Sequence, residues 1–154
     1  MRSIINIIPG ALFVCALIMS VSCTPGSCFE ETNAYLKASF YLQTTGKLAA
    51  PDTLTLILIG KDTARYNKAL KVQPALFPLN PSEDNCGFLI RINGVTDTIS
   101  FMYSTYTHLI SKECGYTYYH HLDSVSTTKN IIDKIEIKQN TVTNLDGPNI
   151  FIYY

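Results

Sequence analysis

The dipeptide Asn93-Gly94 sits between two runs of strand-forming residues, Cys86–Ile92 and Val95–Tyr103, and constrains this chain more than any other short feature. A type I′ turn needs positive φ at both central positions, which Asn and Gly tolerate, and its twist matches that of two antiparallel strands. The two runs are therefore predicted to form a β-hairpin. Its second arm continues through a Ser/Thr/Tyr-rich stretch toward His108-Leu109-Ile110.

Weaker signals of the same kind recur along the chain. Between Asn33 and Gln43, Ala34, Leu36, Ala38, Phe40 and Leu42 alternate with Tyr35, Lys37, Ser39 and Tyr41. That period of two predicts a half-buried strand. Thr53–Ile59 is a continuous apolar and β-branched run ending at Gly60, and predicts a strand with both faces covered or nearly so. In Lys61–Val72, Asp62 can cap a helical turn and Tyr66, Ala69 and Leu70 have helical spacing; the segment is read as an irregular edge. Pro74, Pro78 and Pro81 exclude a central strand, because each lacks a ladder donor.

A turn at Ser111–Glu113 leads into the Tyr-rich run Cys114–Leu122. Ile135 and Ile137 alternate with charged residues in Lys134–Lys138, although Ile131, Ile132 and Ile135 also share a helical face. Asp146-Gly147-Pro148 turns the chain into a final strand, Asn149–Tyr154. About seven short strands separated by turns predict an all-β domain, an antiparallel sandwich or barrel.

The start of the chain has a different character. Arg2 precedes an apolar run from Ile4 to Val21 in which Ala11–Met19 follows Pro9-Gly10. A basic start, a short apolar core and a small-residue exit describe a secretory signal, and the core is shorter than the ~20 residues that span a bilayer. The exit Ser20-Val21-Ser22-Cys23 resembles the bacterial lipobox, with Ser20 where leucine is usual. The expectation is a lipoprotein signal peptide over 1–22, a lipidated Cys23, a tether over 23–32 and a β domain over 33–154. Each buried methylene of an acyl chain contributes about 0.8 kcal/mol, and two chains hold stably. The competing reading is an ordinary secretory signal that leaves Cys23 as a structural thiol.

The 132 residues from Cys23 to Tyr154 suffice for one domain with its own core. Removing Arg2 with the leader leaves eleven of the 12 Lys+Arg against all 12 Asp+Glu, which lie at or beyond Glu30. The basic field that nucleic-acid binding needs is absent. Of the five cysteines, Cys28, Cys86 and Cys114 remain once Cys15 is removed and Cys23 acylated. Exported compartments permit a disulfide, and three thiols allow one bridge in three ways.

The candidate chemistry is sparse. Cys114 with His120 or His121 has the residue types of a thiolate–base pair, but adjacent histidines on a strand point to opposite faces. His120, His121, Asp123 and Ser124 hold the letters of a hydrolase triad without a nucleophile elbow. No metal-ligand spacing and no Gly-rich phosphate loop occurs, so no metal or cofactor is expected. The rings of Tyr103, Tyr106, Tyr116, Tyr118 and Tyr119 form a candidate binding surface, since a flat ring with a hydroxyl suits sugar or protein contacts.

Several segments occur in a telling order: Cys28, Ala34-Tyr35-Leu36, Phe77-Pro78-Leu79-Asn80, Asp97-Thr98-Ile99-Ser100-Phe101, Glu113-Cys114-Gly115 and Asn149-Ile150-Phe151-Ile152-Tyr153-Tyr154. On these the chain resembles an uncharacterised family of Bacteroidota lipoproteins, the domain-of-unknown-function family 6452. The resemblance implies a lipid-anchored, immunoglobulin-like β-sandwich with no assigned activity. It also implies a Cys28–Cys114 bridge, with Cys86–Cys114 as the alternative.

Three functions follow as expectations. The first is a non-catalytic interaction module, held to an outer membrane through the Cys23 lipid and meeting an envelope protein or glycan. The second is a structural accessory subunit of an outer-membrane complex, and the third a small envelope hydrolase using His120–Ser124.

Overall fold

The computed structural model describes Cys28 and residues 30–154; the leader and Cys23 lie outside the described residues. Ten strands follow in order: β1 (Tyr35–Tyr41), β2 (Thr53–Leu58), β3 (Ala64–Leu70), β4 (Ala75–Pro78), β5 (Asn85–Ile92), β6 (Val95–Ser111), β7 (Gly115–Thr127), β8 (Lys134–Ile137), β9 (Thr141–Val142) and β10 (Ile150–Tyr153). They build two sheets, β4-β1-β10-β8 and β3-β2-β5-β6-β7-β9. The described residues contain no helix, so the all-β sandwich expected from the sequence is the fold.

The alternating patterns place the core between the sheets. Leu36, Ala38 and Phe40 of β1 face Leu54 and Leu56 of β2, Phe88, Ile90 and Ile92 of β5, and Ile99 and Phe101 of β6, all fully buried. Phe77 of β4 meets Phe88 and Phe101 edge-on, with ring centres 5.1 and 5.4 Å away. The Asn93-Gly94 turn has positive φ at both positions, 49° and 94°. It pairs Ile92 with Val95 and holds β5 and β6 in register to Asn85↔Met102.

Several expectations need correction. There are ten strands, not about seven, and the sheets are not wholly antiparallel: β1 and β10 pair in parallel through Ala38↔Ile150 to Tyr41↔Tyr153. β2 is fully covered on the face of Leu54 and Leu56 and half-covered on the other, where Thr55 and Ile57 point away from the partner sheet. Lys61–Val72 is neither helix nor irregular throughout. It contains an edge strand, β3, whose pairing with β2 shifts register twice and whose exposed Arg65 and Lys68 discourage further strand addition.

One buried carboxylate fixes the passage from the large sheet to the small one. Asp97 stands on the inner face of β6 and is 1% exposed. Its Oδ1 accepts hydrogen bonds from the Thr128 hydroxyl (2.6 Å) and the Asn130 N–H (2.9 Å). Its Oδ2 accepts from the N–H groups of Ile131 (2.8 Å) and Ile132 (2.9 Å). Burial alone would raise the Asp97 pKa, but these four donors outweigh it and hold the carboxyl below its usual value. The segment so gripped lies between β7 and β8 and inserts Ile132 into the core.

Asp97→Ala would take the acceptor from three backbone N–H groups, that of Ile132 buried and those of Asn130 and Ile131 partly so, and should destabilise the domain by about 3 kcal/mol in urea unfolding. Because the Asp97 pKa is depressed on folding, its contribution is complete above about pH 4, the ordinary aspartate value, and fades as the pH falls through the lower folded value. Asp97→Asn should lose that acid-side slope. An unchanged slope would show that Asp97 does not govern it.

Candidate functional site

β7 carries most of the residues that the sequence singled out, and the structure separates them. Tyr103 of β6 pairs with Leu122 of β7 and both are buried; one residue further, Met102 pairs with Ser124, which leaves Asp123 as the extra residue of a bulge. Before the bulge, His120 faces inward and is buried, while His121 is exposed. The His120 Nδ1 lies 2.9 Å from the Thr105 hydroxyl, and its ring meets Tyr103 edge-on at 5.3 Å. Burial in this setting lowers the His120 pKa.

His121 is held on the surface by two partners. Its Nδ1 lies 3.0 Å from an Asp123 carboxylate oxygen and its Nε2 lies 2.8 Å from the Asn140 amide. The arrangement has the Nδ1–H donating to Asp123 while the Nε2 lone pair accepts from Asn140. That commits the nitrogen which would have to serve Ser124 as a base. Cys114 is bonded to Cys28, so it is not a thiolate facing either histidine. Cys86 is free and half-buried, with burial pushing its thiol up to about 11. A neutral thiol is a poor nucleophile.

The tyrosines divide in the same way. Tyr103 is a core residue, 1% exposed, and not part of a binding surface. Its hydroxyl donates to the Asn80 carbonyl (3.0 Å) and accepts from the Asn80 N–H (3.1 Å), and burial pushes the phenol up to about 12. Tyr119 is also buried and donates to the Asn144 side chain. It is covered by Tyr106, edge-on at 6.1 Å, and by His108, stacked at 4.4 Å. Tyr106, Tyr116 and Tyr118 remain exposed. Period-two spacing puts Tyr116 and Tyr118 on one face and Tyr119 on the other, so the five rings never formed one surface.

A different aromatic group gathers on the outer face of the four-stranded sheet. Tyr41 pairs with Tyr153, and Phe151 with Ser39, in the parallel ladder. The Tyr41 ring centre lies 4.6 Å from that of Phe151 and 5.4 Å from that of Tyr153. Lys134 sits 4.4 Å over the Tyr153 ring and Lys138 5.0 Å over Phe151. Glu136 bridges the two lysines at 2.8 Å each, and their hydrogen bonds pull its pKa down to about 2. The same face continues into a cleft of about 440 Å³ lined by Lys37, Ser39, Pro74, Leu76, Asp146 and Pro148. Sequence reasoning missed this strip, because its rings come from strands more than a hundred residues apart. The outward positions Tyr41, Phe151 and Tyr153 were the available signal.

A larger cleft, about 600 Å³, carries Glu83, Asp84 and Asp123 beside Met102 and Ser104. Among the described residues no group of three His, Cys, Asp or Glu side chains is placed to hold a metal ion.

The model of a family of unknown function, DUF6452, matches residues 53–154. The chain belongs to that family. The DUF6452 match spans β2 to β10 and takes in the aromatic residues Phe151 and Tyr153 with both lysines; Cys28, β1 and Tyr41 precede it. No curated protein and no solved structure matches the chain.

Burial lowers the His120 pKa on folding, so its contribution is complete above about pH 6.5, the ordinary histidine value, and declines as the pH falls below it. Unfolding free energy measured from pH 8 to 5 should fall toward acid in the parent. The fall should be shallower in His120→Gln, and identical slopes would remove His120 as its source.

Proposed function

We propose that this chain is a lipid-anchored cell-envelope protein whose domain is a non-catalytic interaction module for a protein or glycan partner. The expected attachment point is Cys23, after removal of residues 1–22. The Cys28–Cys114 bond supports an address outside the cytoplasm, because cystines persist in oxidising compartments and are removed in reducing ones.

The observation that carries the interaction reading is the strip Tyr41–Phe151–Tyr153 beside its cleft. Two tyrosines with polar hydroxyls and one phenylalanine, flanked by fixed lysines, give area and direction to a contact at little entropic cost. By contrast, the groups that would activate a hydrolase nucleophile are bonded, buried or committed to structural partners, which leaves the exposed Ser124 hydroxyl without a base.

Metabolic labelling with a palmitate analogue should mark the parent protein and leave Cys23→Ser unlabelled; label on the variant ends the anchoring reading. For the partner, the native protein is cross-linked in intact envelopes and its adducts identified. Phe151→Ala/Tyr153→Ala should weaken the adduct about tenfold or more, as loss of an aromatic hot spot does, while the far-UV spectrum stays unchanged. Full-strength adducts in that variant would move the contact elsewhere, and a parent with no adduct would refute the interaction reading.

A further inference from the structure

The β6–β7 hairpin is longer than the sandwich needs. Tyr103 is the last fully buried residue of β6, and Tyr106 to Leu109 are all exposed. Over this overhang Leu109 pairs with Tyr116. Tyr118, two residues on, shares their face. Exposures of 48% for Leu109, 73% for Tyr116 and 52% for Tyr118 leave three large apolar side chains uncovered together on one hairpin face. We infer that this tip rests at the lipid–water interface, with Leu109, Tyr116 and Tyr118 against the bilayer that holds the Cys23 acyl chains. The inference rests on the anchoring proposed above.

Chain length and one covalent bond single out this end of the molecule. Five residues lead from Cys23 to Cys28, a span of at most about 18 Å. Cys28 is bonded to Cys114, beside the tip turn, with 4.7 Å between their Cα atoms. The segment after Cys28 is further fixed: the Thr117 hydroxyl of β7 donates to the Thr32 carbonyl, and the Asn144 amide, just after β9, donates to the Glu31 carbonyl. A fully extended β6 of 17 residues measures about 55 Å. The anchored cysteine therefore reaches the Leu109–Tyr116 end and not the Asn93-Gly94 end. Tyrosine is a residue of membrane interfaces, because its ring is apolar and its hydroxyl stays wet.

The charges around the tip point to the kind of contact. The tip turn carries one cation, Lys112, next to Glu113, and Glu30 and Glu31 follow Cys28 closely in sequence, so no basic patch draws the tip to anionic headgroups. The contact is apolar, made to zwitterionic lipid, and insensitive to salt.

The chain has no tryptophan, so Tyr116→Trp and Val95→Trp each introduce a single fluorescent reporter, the first on β7 opposite Leu109 at the tip and the second at the far end of β6. The full lipidated chains are reconstituted in phosphatidylcholine vesicles with plain or brominated acyl chains, and vesicle flotation is run on every sample. Tyr116→Trp should lose about half its emission on brominated lipid, as a ring seated at the acyl boundary does, at low and high salt alike. Val95→Trp should be unaffected. Leu109→Trp should behave as Tyr116→Trp and guards against a local effect of one substitution. Floating protein whose tip reporters are not quenched overturns this inference alone. A blue-shifted but unquenched emission with cross-linked dimers overturns it too, giving the patch to a second copy. Parent protein that does not float overturns the anchoring reading, and this inference with it.

Discussion

The carboxylate of Asp97 is the interaction on which the rest of the sandwich depends. A sandwich needs its chain to leave one sheet and enter the other, and the connecting backbone must satisfy its polar groups on the way. Here the chain leaves β7 at Thr127 and enters β8 at Lys134, and three of the intervening N–H groups and a hydroxyl converge on Asp97. Because Asp97 belongs to β6, the bracket ties the hairpin of the large sheet to the start of the small one. Ile132 enters the core from that bracket, and the Asp133 N–H goes on to the Tyr153 carbonyl of β10. A second polar clasp works at the other end. The Asn149 side chain accepts from the Lys37 N–H (2.9 Å) and donates to the carbonyls of Gln139 and Thr141. It joins β1 to the segment before β10.

What could be read from the residues was what local spacing controls. The Asn93-Gly94 turn, the alternation of β1 and the punctuation before β10 each follow from neighbours within about ten residues. β4 and β9 were missed because four and two residues carry no periodic signal, and both lie at sheet edges where pairing is decided by the partner. The parallel β1–β10 pair was missed for the same reason, since nothing in either strand names the other.

The candidate sites show the same boundary. His121 and Asp123 are two apart and could be paired from sequence, whereas Asn140, which occupies the other ring nitrogen, arrives with β9. Tyr103 and Tyr116 look alike in a list of tyrosines. Only the length of the hairpin relative to the opposing sheet puts the first in the core and leaves the second in the open. The Tyr41–Phe151–Tyr153 strip required the long-range register itself, and no local rule supplies it.

The position of β10 has a consequence for when this domain can fold. In the small sheet it lies between β1 and β8, so Ile150–Tyr153 must slot between strands that precede it by many residues. Until that segment is available, Leu36 and Phe40 have an open flank and the interior stays unsealed. Pairing over such sequence distances is intrinsically slow. A nascent polypeptide of this design remains loose while it is being made. The last strand made is thus the one that closes the interior, and a polypeptide truncated before Ile150 would keep its two sheets apart.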